Sequence, residues 1–229
     1  MITLLYTYIE RDIHQRLFKY TLHNFSDDFQ YKVSKFRKWE DAQLSLLGRL
    51  LLLEGLKKFS LNAKDVDLLN NKHGKPYLKN MALDFNISHS GDLVVCALST
   101  NGNIGVDVEL MQDVDIEDFR SQMTISEWNR INSAHNKQSE FFSYWTEKEA
   151  ALKACGEGLT GVDLKSFEII ENKAMIKNDE YLLQEVNISQ NYKCHVAVKS
   201  INGVEVNTKI DLVPLKASIF LLSDSNILS

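Results

Sequence analysis

Asp92-Leu-Val-Val-Cys-Ala-Leu-Ser-Thr-Asn-Gly-Asn-Ile-Gly-Val-Asp-Val-Glu-Leu110 is the stretch from which the rest of this sequence is best approached. Asp92 to Ser99 is an almost unbroken apolar run, and Ile104 to Leu110 alternates. Between them Thr100-Asn-Gly-Asn103 carries the residue types of a tight turn, so two strands joined as a hairpin are predicted. Residues two apart on a strand share a face. Ile104, Val106, Val108 and Leu110 therefore point one way, and Asp107 and Glu109 the other. Cα atoms two apart on a strand are separated by about 6.6–7 Å. From that spacing two carboxylates can converge on one hard cation with oxygen ligands. Taken alone, the segment describes equally well an amphipathic strand with a wet acidic face.

Outward from this stretch the signals alternate between helix and strand. Residues 2–9 predict a strand. Trp39 to Phe59 predicts a long helix whose leucines cover most of its circumference, hence a buried one. Asn71-Lys-His-Gly-Lys-Pro-Tyr77 predicts a loop in which Gly74 permits close backbone approach and Lys75 offers a point charge to a phosphate. Phe85-Asn-Ile87 is a short apolar run, followed by a turn-like Ser88-His-Ser-Gly91. Adjacent Ser88 and His89 rarely orient as nucleophile and base, and no Gly-x-Ser-x-Gly elbow is present. On the far side, helices are expected near 115–123 and 126–134, then clearly from 139 to 155, stopped by Gly156-Glu-Gly158. On the last of these, Trp145, Glu149 and Lys153 are spaced by four and share one stripe. Strands are expected within 164–170, 181–188 and 192–199, while 211–229 shows no readable element. The fold class is α+β.

The 229 residues suffice for one large domain or two small ones, and 44% of them are apolar, enough for a real core. A net charge of −5 argues against a nucleic-acid partner, which needs a basic footprint. No basic segment followed by an apolar run opens the chain, so no signal peptide is expected. The leucine-rich run Leu44 to Phe59 is interrupted by Gly48, Arg49, Glu54 and two lysines, so no membrane span is expected either. Cys96, Cys155 and Cys194 lack metal-ligand spacing and are expected as buried thiols of a cytoplasmic protein. Charge is uneven. Lys32 to Lys58 holds seven basic residues against three acidic, and Asp107 to Glu127 holds seven acidic against Arg120 alone. Two solvated faces explain this, as does a basic wall for an anion beside an acidic wall for a metal.

Four segments in this order, Gly74–Pro76, Phe85–Ser90, Gly105–Glu109 and Trp145–Lys153, together resemble the 4′-phosphopantetheinyl transferases of the surfactin-synthetase-activating type. Glu40-Asp-Ala42 followed by Leu46-Leu-Gly48 is similar to that family's first helix, so the likeness runs from about residue 32 to 160. The resemblance implies two similar α/β subdomains related by a pseudo-twofold axis, 1–102 and 103–229, with coenzyme A in the cleft between them. It implies a magnesium ion on Asp107, Glu109 and Glu149, and Lys153 on the phosphates. It places Ser88 and His89, with Lys32 nearby, at the 3′-phosphate of coenzyme A, and Gly74, Lys75 and Pro76 at the nucleotide. The implied reaction moves the phosphopantetheine arm onto a serine of an apo acyl or peptidyl carrier protein, releasing 3′,5′-ADP. Glu149, or a hydroxide on the metal beside it, is the implied base, and the implied enzyme is a monomer.

The chain departs from the family pattern at Phe29 and Leu44, where well-matched members often carry basic residues around the 3′-phosphate. Lys35, Arg37 and Arg49 are the nearby replacements. Two other functions compete: a non-catalytic relative that binds carrier protein or coenzyme A, and a magnesium-dependent pyrophosphate hydrolase.

Overall fold

In the computed structural model, residues 1–62, 66–158, 162–200 and 209–221 are described. The strands are β1 (Ile2–Tyr8), β2 (Leu68–Asn70), β3 (Pro76–Leu78), β4 (Asp84–Ser90), β5 (Leu93–Ser99) and β6 (Ile104–Leu110). They continue as β7 (Ile169–Ile170), β8 (Lys173–Ile176), β9 (Asp179–Glu185), β10 (Tyr192–Lys199) and β11 (Ile210–Pro214). The α-helices are α1 (His14–Thr21), α2 (Asp27–Ser34), α3 (Trp39–Lys58), α4 (Ile125–Ser133) and α5 (Lys137–Cys155). The protein is of mixed α+β class.

Alternation along the strands builds the layers. Ile2 and Leu4 of β1, with Leu93, Val95 and Ala97 of β5, form an apolar face. It packs on Ile104, Val106 and Val108 of β6 and on Cys194, Val196 and Val198 of β10. The intervening residues Val94, Cys96 and Leu98 face the leucines of α3. Ala150, Ala151 and Ala154 of α5 cover the second sheet, against Ala197, Tyr181 and Leu183. The order is helix, sheet, sheet, helix. The first sheet runs β11-β1-β5-β4, the second β6-β10-β9-β8-β7, and β2 pairs β3 apart from both.

The predicted hairpin of β5 and β6 does not form. Both edges of β5 are taken, by β1 and β4, so β6 has no place beside it and pairs with β10 in the other sheet. The Thr100–Asn103 turn instead carries the chain between sheets, with Gly102 at φ +114°. The turn-like Ser88-His-Ser segment is also strand, the second half of β4. Residues 116–122 form a 3₁₀ rather than an α-helix, and of 164–170 only Ile169–Ile170 is strand, Leu164–Ser166 being a 3₁₀ turn. From the unassigned C-terminal stretch comes β11, parallel to β1, with Ile2 opposite Ile210. Residues 222–229 of that stretch lie outside the described residues. Cys96 and Cys194 are buried as expected, whereas Cys155 is only half-buried, near the end of α5. No helix among the described residues is long and apolar enough to cross a membrane.

Helix α5 is held at both ends and from the side. The Asn136 side chain accepts from the Ser139 amide at its start, and Gly156 ends it at φ +79°, its amide donating to Leu152 O. Laterally, Lys148 is 1% exposed and pairs with Glu127, itself part of the capping box with Thr124 that starts α4. The same ammonium donates to Leu164 O and Phe167 O. Removing one partner of a buried pair strands the other charge. Lys148→Ala is therefore expected to cost about 3–5 kcal/mol in urea unfolding, and a loss under about 1 kcal/mol would show that the pair holds nothing.

Candidate active site

The site begins with a missing side chain. A Cβ on Gly105 would lie 2.1 Å from Ala150 O and 2.3 Å from Ala154 N, so glycine alone lets the backbone of α5 lie directly on β6. Alanines 150, 151 and 154 keep the facing surface of the helix small. That close approach lowers Glu149 and Lys153 onto the polar face of β6, where Asp107 and Glu109 stand as their alternation predicted. This face is not wet: Asp107 is 3% and Glu149 9% exposed.

Lys153 Nζ stands 2.6 Å from Asp107 Oδ1 and 3.0 Å from Ser88 Oγ, while the Ser88 hydroxyl donates to the same Asp107 oxygen at 3.0 Å. The other oxygen, Asp107 Oδ2, is buried without a hydrogen-bond partner. Burial, and then the Asp107 charge beside it, push the Glu149 carboxyl up to about 7. Burial likewise raises Asp107, against the pull of Lys153, and raises Glu109, against its bond from Ser90. Like charges crowd here with one lysine among them.

The other sequence-predicted residues divide. Lys32 and Gly74 line a cleft of about 640 Å³ together with Phe29, Arg49 and Asn70. Gly74 is required by its φ of +86°; the space beside it is open, so close approach is not its role. Lys75 lies outside this cleft lining. Its ammonium sits 3.0 Å from Asp84 Oδ2 and 2.9 Å from Ile104 O, tying the loop to β4 and β6, and Pro76 opens β3. His89 sits at the exposed rim, where desolvation of its packed side and then the Lys153 charge lower its pKa. Leu44, on α3, is buried in the core.

Two family descriptions cover the chain from α1 to β10. Residues 13–101 match "4′-phosphopantetheinyl transferase, N-terminal" and residues 103–200 match "4′-phosphopantetheinyl transferase superfamily". The 4′-phosphopantetheinyl transferase gsp of Aneurinibacillus migulanus is 31% identical over 204 residues, 85% of this chain and 84% of the relative. The chain belongs to the 4′-phosphopantetheinyl transferase superfamily. Sfp of Bacillus subtilis (strain 168) is 28% identical over 166 residues, 71% of this chain and 73% of that protein. The L-aminoadipate-semialdehyde dehydrogenase-phosphopantetheinyl transferase of Xenopus laevis is 31% identical over 154 residues, 60% of this chain and 51% of its own.

Whether the residues of this superfamily member fit a metal ion is decided by the donors themselves. No three such side chains among the described residues already converge on one point at coordination distance. What the site does hold is three oxygen-donor carboxylates within mutual electrostatic reach and one orphaned buried oxygen, Asp107 Oδ2. Buried carboxylates left short of positive charge are the donor set of a hard divalent cation. They fit.

Sequence patterns missed Gly105 as the contact point, Lys148 as the anchor, and His195. In the β6–β10 register His195 stands opposite Asp107. His195 Nδ1 lies 2.8 Å from Thr146 Oγ1, a hydroxyl that also stands 2.7 Å from Phe142 O, and the imidazole tautomer sets which of the pair donates. Burial drives the imidazole down from 6.5 to about 4, so it is neutral in the native state. The unfolded chain binds that proton first, so stability is lost as pH falls from 6.5 through 4. Between pH 7 and pH 4 the wild type is expected to lose about 3 kcal/mol more than His195→Gln in denaturant unfolding. Parallel pH curves for the two proteins would show that His195 is not buried neutral.

Proposed function

We propose that this chain transfers the 4′-phosphopantetheine arm of coenzyme A to a serine of an apo carrier protein, releasing 3′,5′-ADP. The observation that carries the proposal is the orphaned Asp107 Oδ2 amid Glu109, Glu149 and Lys153. Asp107, Glu109 and Glu149 would hold a magnesium ion. The chemistry such an ion supplies is neutralisation of the pyrophosphate charge. Lys153, within reach of Asp107 and Ser88, adds a second positive charge for the phosphates. Glu149 is the residue assigned to take the proton of the attacking serine. The serine oxygen bonds to the phosphorus that bears pantetheine, and the P–O bond to 3′,5′-ADP breaks. Positioning and charge neutralisation carry such a transfer.

The same proposal assigns Lys32, Gly74, Lys75, Pro76, Ser88 and His89 to coenzyme A, and divides the chain at Gly102 into pseudo-twofold subdomains. Two family descriptions that meet at residues 101 and 103, and one long helix on the outer face of each sheet, support the division for residues up to 200, while Ile210–Pro214 returns to the first sheet. It also takes the enzyme as a cytoplasmic monomer. Of the three basic residues near the substituted clamp, Lys35 lies over the Tyr31 ring at 4.5 Å, and Arg37 is exposed and absent from the cleft lining. Arg49 lines the cleft with Lys32, stacks over Phe29 at 5.3 Å, and has Nη1 buried without a hydrogen-bond partner. Arg49→Gln is accordingly expected to narrow the preference for coenzyme A over its 3′-dephospho form, read from kcat/KM on both donors. An unchanged preference would remove Arg49 from the clamp.

Intact-mass analysis of apo carrier proteins from fatty-acid, polyketide and non-ribosomal-peptide systems, with coenzyme A and magnesium, tests the whole proposal. One added phosphopantetheine, lost on chelation, is expected. No gain on any carrier would refute transfer, and nucleotide released without an acceptor would mark a hydrolase.

A further inference from the structure

Strands β4 and β6 are edge strands of different sheets, yet they run together in a constant register of twenty residues. The links are side chains rather than main-chain pairs. Asp84 Oδ2 accepts from the Ile104 amide at 2.9 Å, Asn86 Oδ1 from the Val106 amide at 2.9 Å, and Ser90 Oγ from the Leu110 amide at 3.1 Å. Three of the four alternating amides from Ile104 to Leu110 are thus received by side chains of β4. One rung is absent. At Val108 the facing side chain, Ser88, turns its hydroxyl to Asp107 instead.

Ser90 does two things at once. Its oxygen accepts the Leu110 amide, and its one proton goes to Glu109 Oε2 at 2.6 Å, within the range of hydroxyl bonds to a charged oxygen. A hydroxyl held from one side by a fixed amide is a rigid donor on the other. The bond takes one oxygen of Glu109 and leaves Oε1 outside it. We infer that Ser90 is a positioning residue: it holds the Glu109 carboxylate in the orientation that receives the metal, and the β4–β6 side-chain ladder is what aims it. This inference rests on the proposed assignment of Glu109 to the metal. Asn86 supplies the matched comparison, because it forms the same kind of rung without contacting any of the three carboxylates.

The test is Mn²⁺ binding to the full chain without coenzyme A, followed by loss of the free-ion resonance signal, alongside a thermal melt of each variant. Ser90→Ala is expected to weaken Mn²⁺ binding by about 10–100-fold. Ser90→Thr, which keeps the hydroxyl, should restore it. Asn86→Ala should lower the melting temperature as its rung is lost, with Mn²⁺ affinity unchanged. If Ser90→Ala does not fold, Ser90→Cys, which fills the same space with a weak donor, should show the same loss of affinity. Wild-type affinity in Ser90→Ala or Ser90→Cys, or an equal loss in Asn86→Ala, would make Ser90 merely structural and overturn the inference while leaving the metal site standing. No Mn²⁺ binding by the wild type would overturn the metal assignment itself, and this inference with it.

Discussion

Gly105→Ala is expected to abolish transfer and to destabilise the protein together. The added Cβ would overlap Ala150 O, Ala154 N and Lys153 C, all backbone atoms of α5, none of which can rotate away. Either the helix lifts from β6 or the strand bends. Overpacking of this kind costs about 1–3 kcal/mol, and more where backbone must move. The consequence for chemistry is larger. Glu149 and Lys153 meet Asp107 only because α5 lies directly on the strand, and a displacement of about 1 Å costs on the order of 10²-fold in rate. Gly48→Ala is the comparison, since its Cβ would meet only the side chains of Ile87 and Val94, the nearest at 2.9 Å. One side-chain methyl rather than main chain must give there, so the smaller loss is expected for Gly48→Ala. Transfer rates by intact mass and melting temperatures for both variants decide it. If Gly105→Ala retains activity like that of Gly48→Ala, the close contact of helix and strand is not what assembles the site.

Glu149→Gln separates function from stability in opposite directions. The change keeps shape and removes the charge. Transfer is expected to fall by about 10²–10⁴-fold, the range for loss of a positioned base. Stability without metal should move the other way. Because the native carboxyl lies near 7 and the ordinary value is 4.5, the folded protein binds this proton more tightly than the unfolded chain. Stability is therefore fully present below 4.5 and is lost as pH rises through 7. The neutral glutamine escapes that loss, so above pH 7 the variant should be the more stable protein, by a few kcal/mol in order of magnitude. A surface pair of Glu149 with Lys153, which the i, i+4 spacing alone also describes, predicts the reverse. Activity would survive and stability would drop by about 0.2–0.5 kcal/mol.

Much of this was legible in linear form. The alternation of Ile104 to Leu110 assigned Asp107 and Glu109 to one face, and the period of four on α5 assigned Trp145, Glu149 and Lys153 to one stripe. Both hold in three dimensions: Val106 and Val108 enter the inter-sheet core, Asp107 meets Lys153, and Trp145 lies edge-on to Phe119 at a centroid distance of 5.5 Å. The turn at Thr100–Asn103 was legible too, but its use was not. A turn signal reports that the chain reverses, whereas hairpin pairing also needs a free strand edge, and β1 and β4 hold both edges of β5. The polar Ser88 to Ser90 segment looked like a turn for a related reason. Its hydroxyls, which suit a solvated loop, are spent on β6.

By itself the sequence determined which side chains can act together, because helix and strand periods are properties of the local backbone. It determined the buried helices, their stop signals and the family. Only the tertiary structure decided what each face meets. Gly105 became the point where a helix touches a strand, Lys148 a buried anchor, Lys75 a tie between loop and sheets, Ser90 the donor to Glu109, and β11 a parallel partner of β1. Each of these depends on a partner outside its own local segment, often scores of residues away, and no local period records which segment will arrive there.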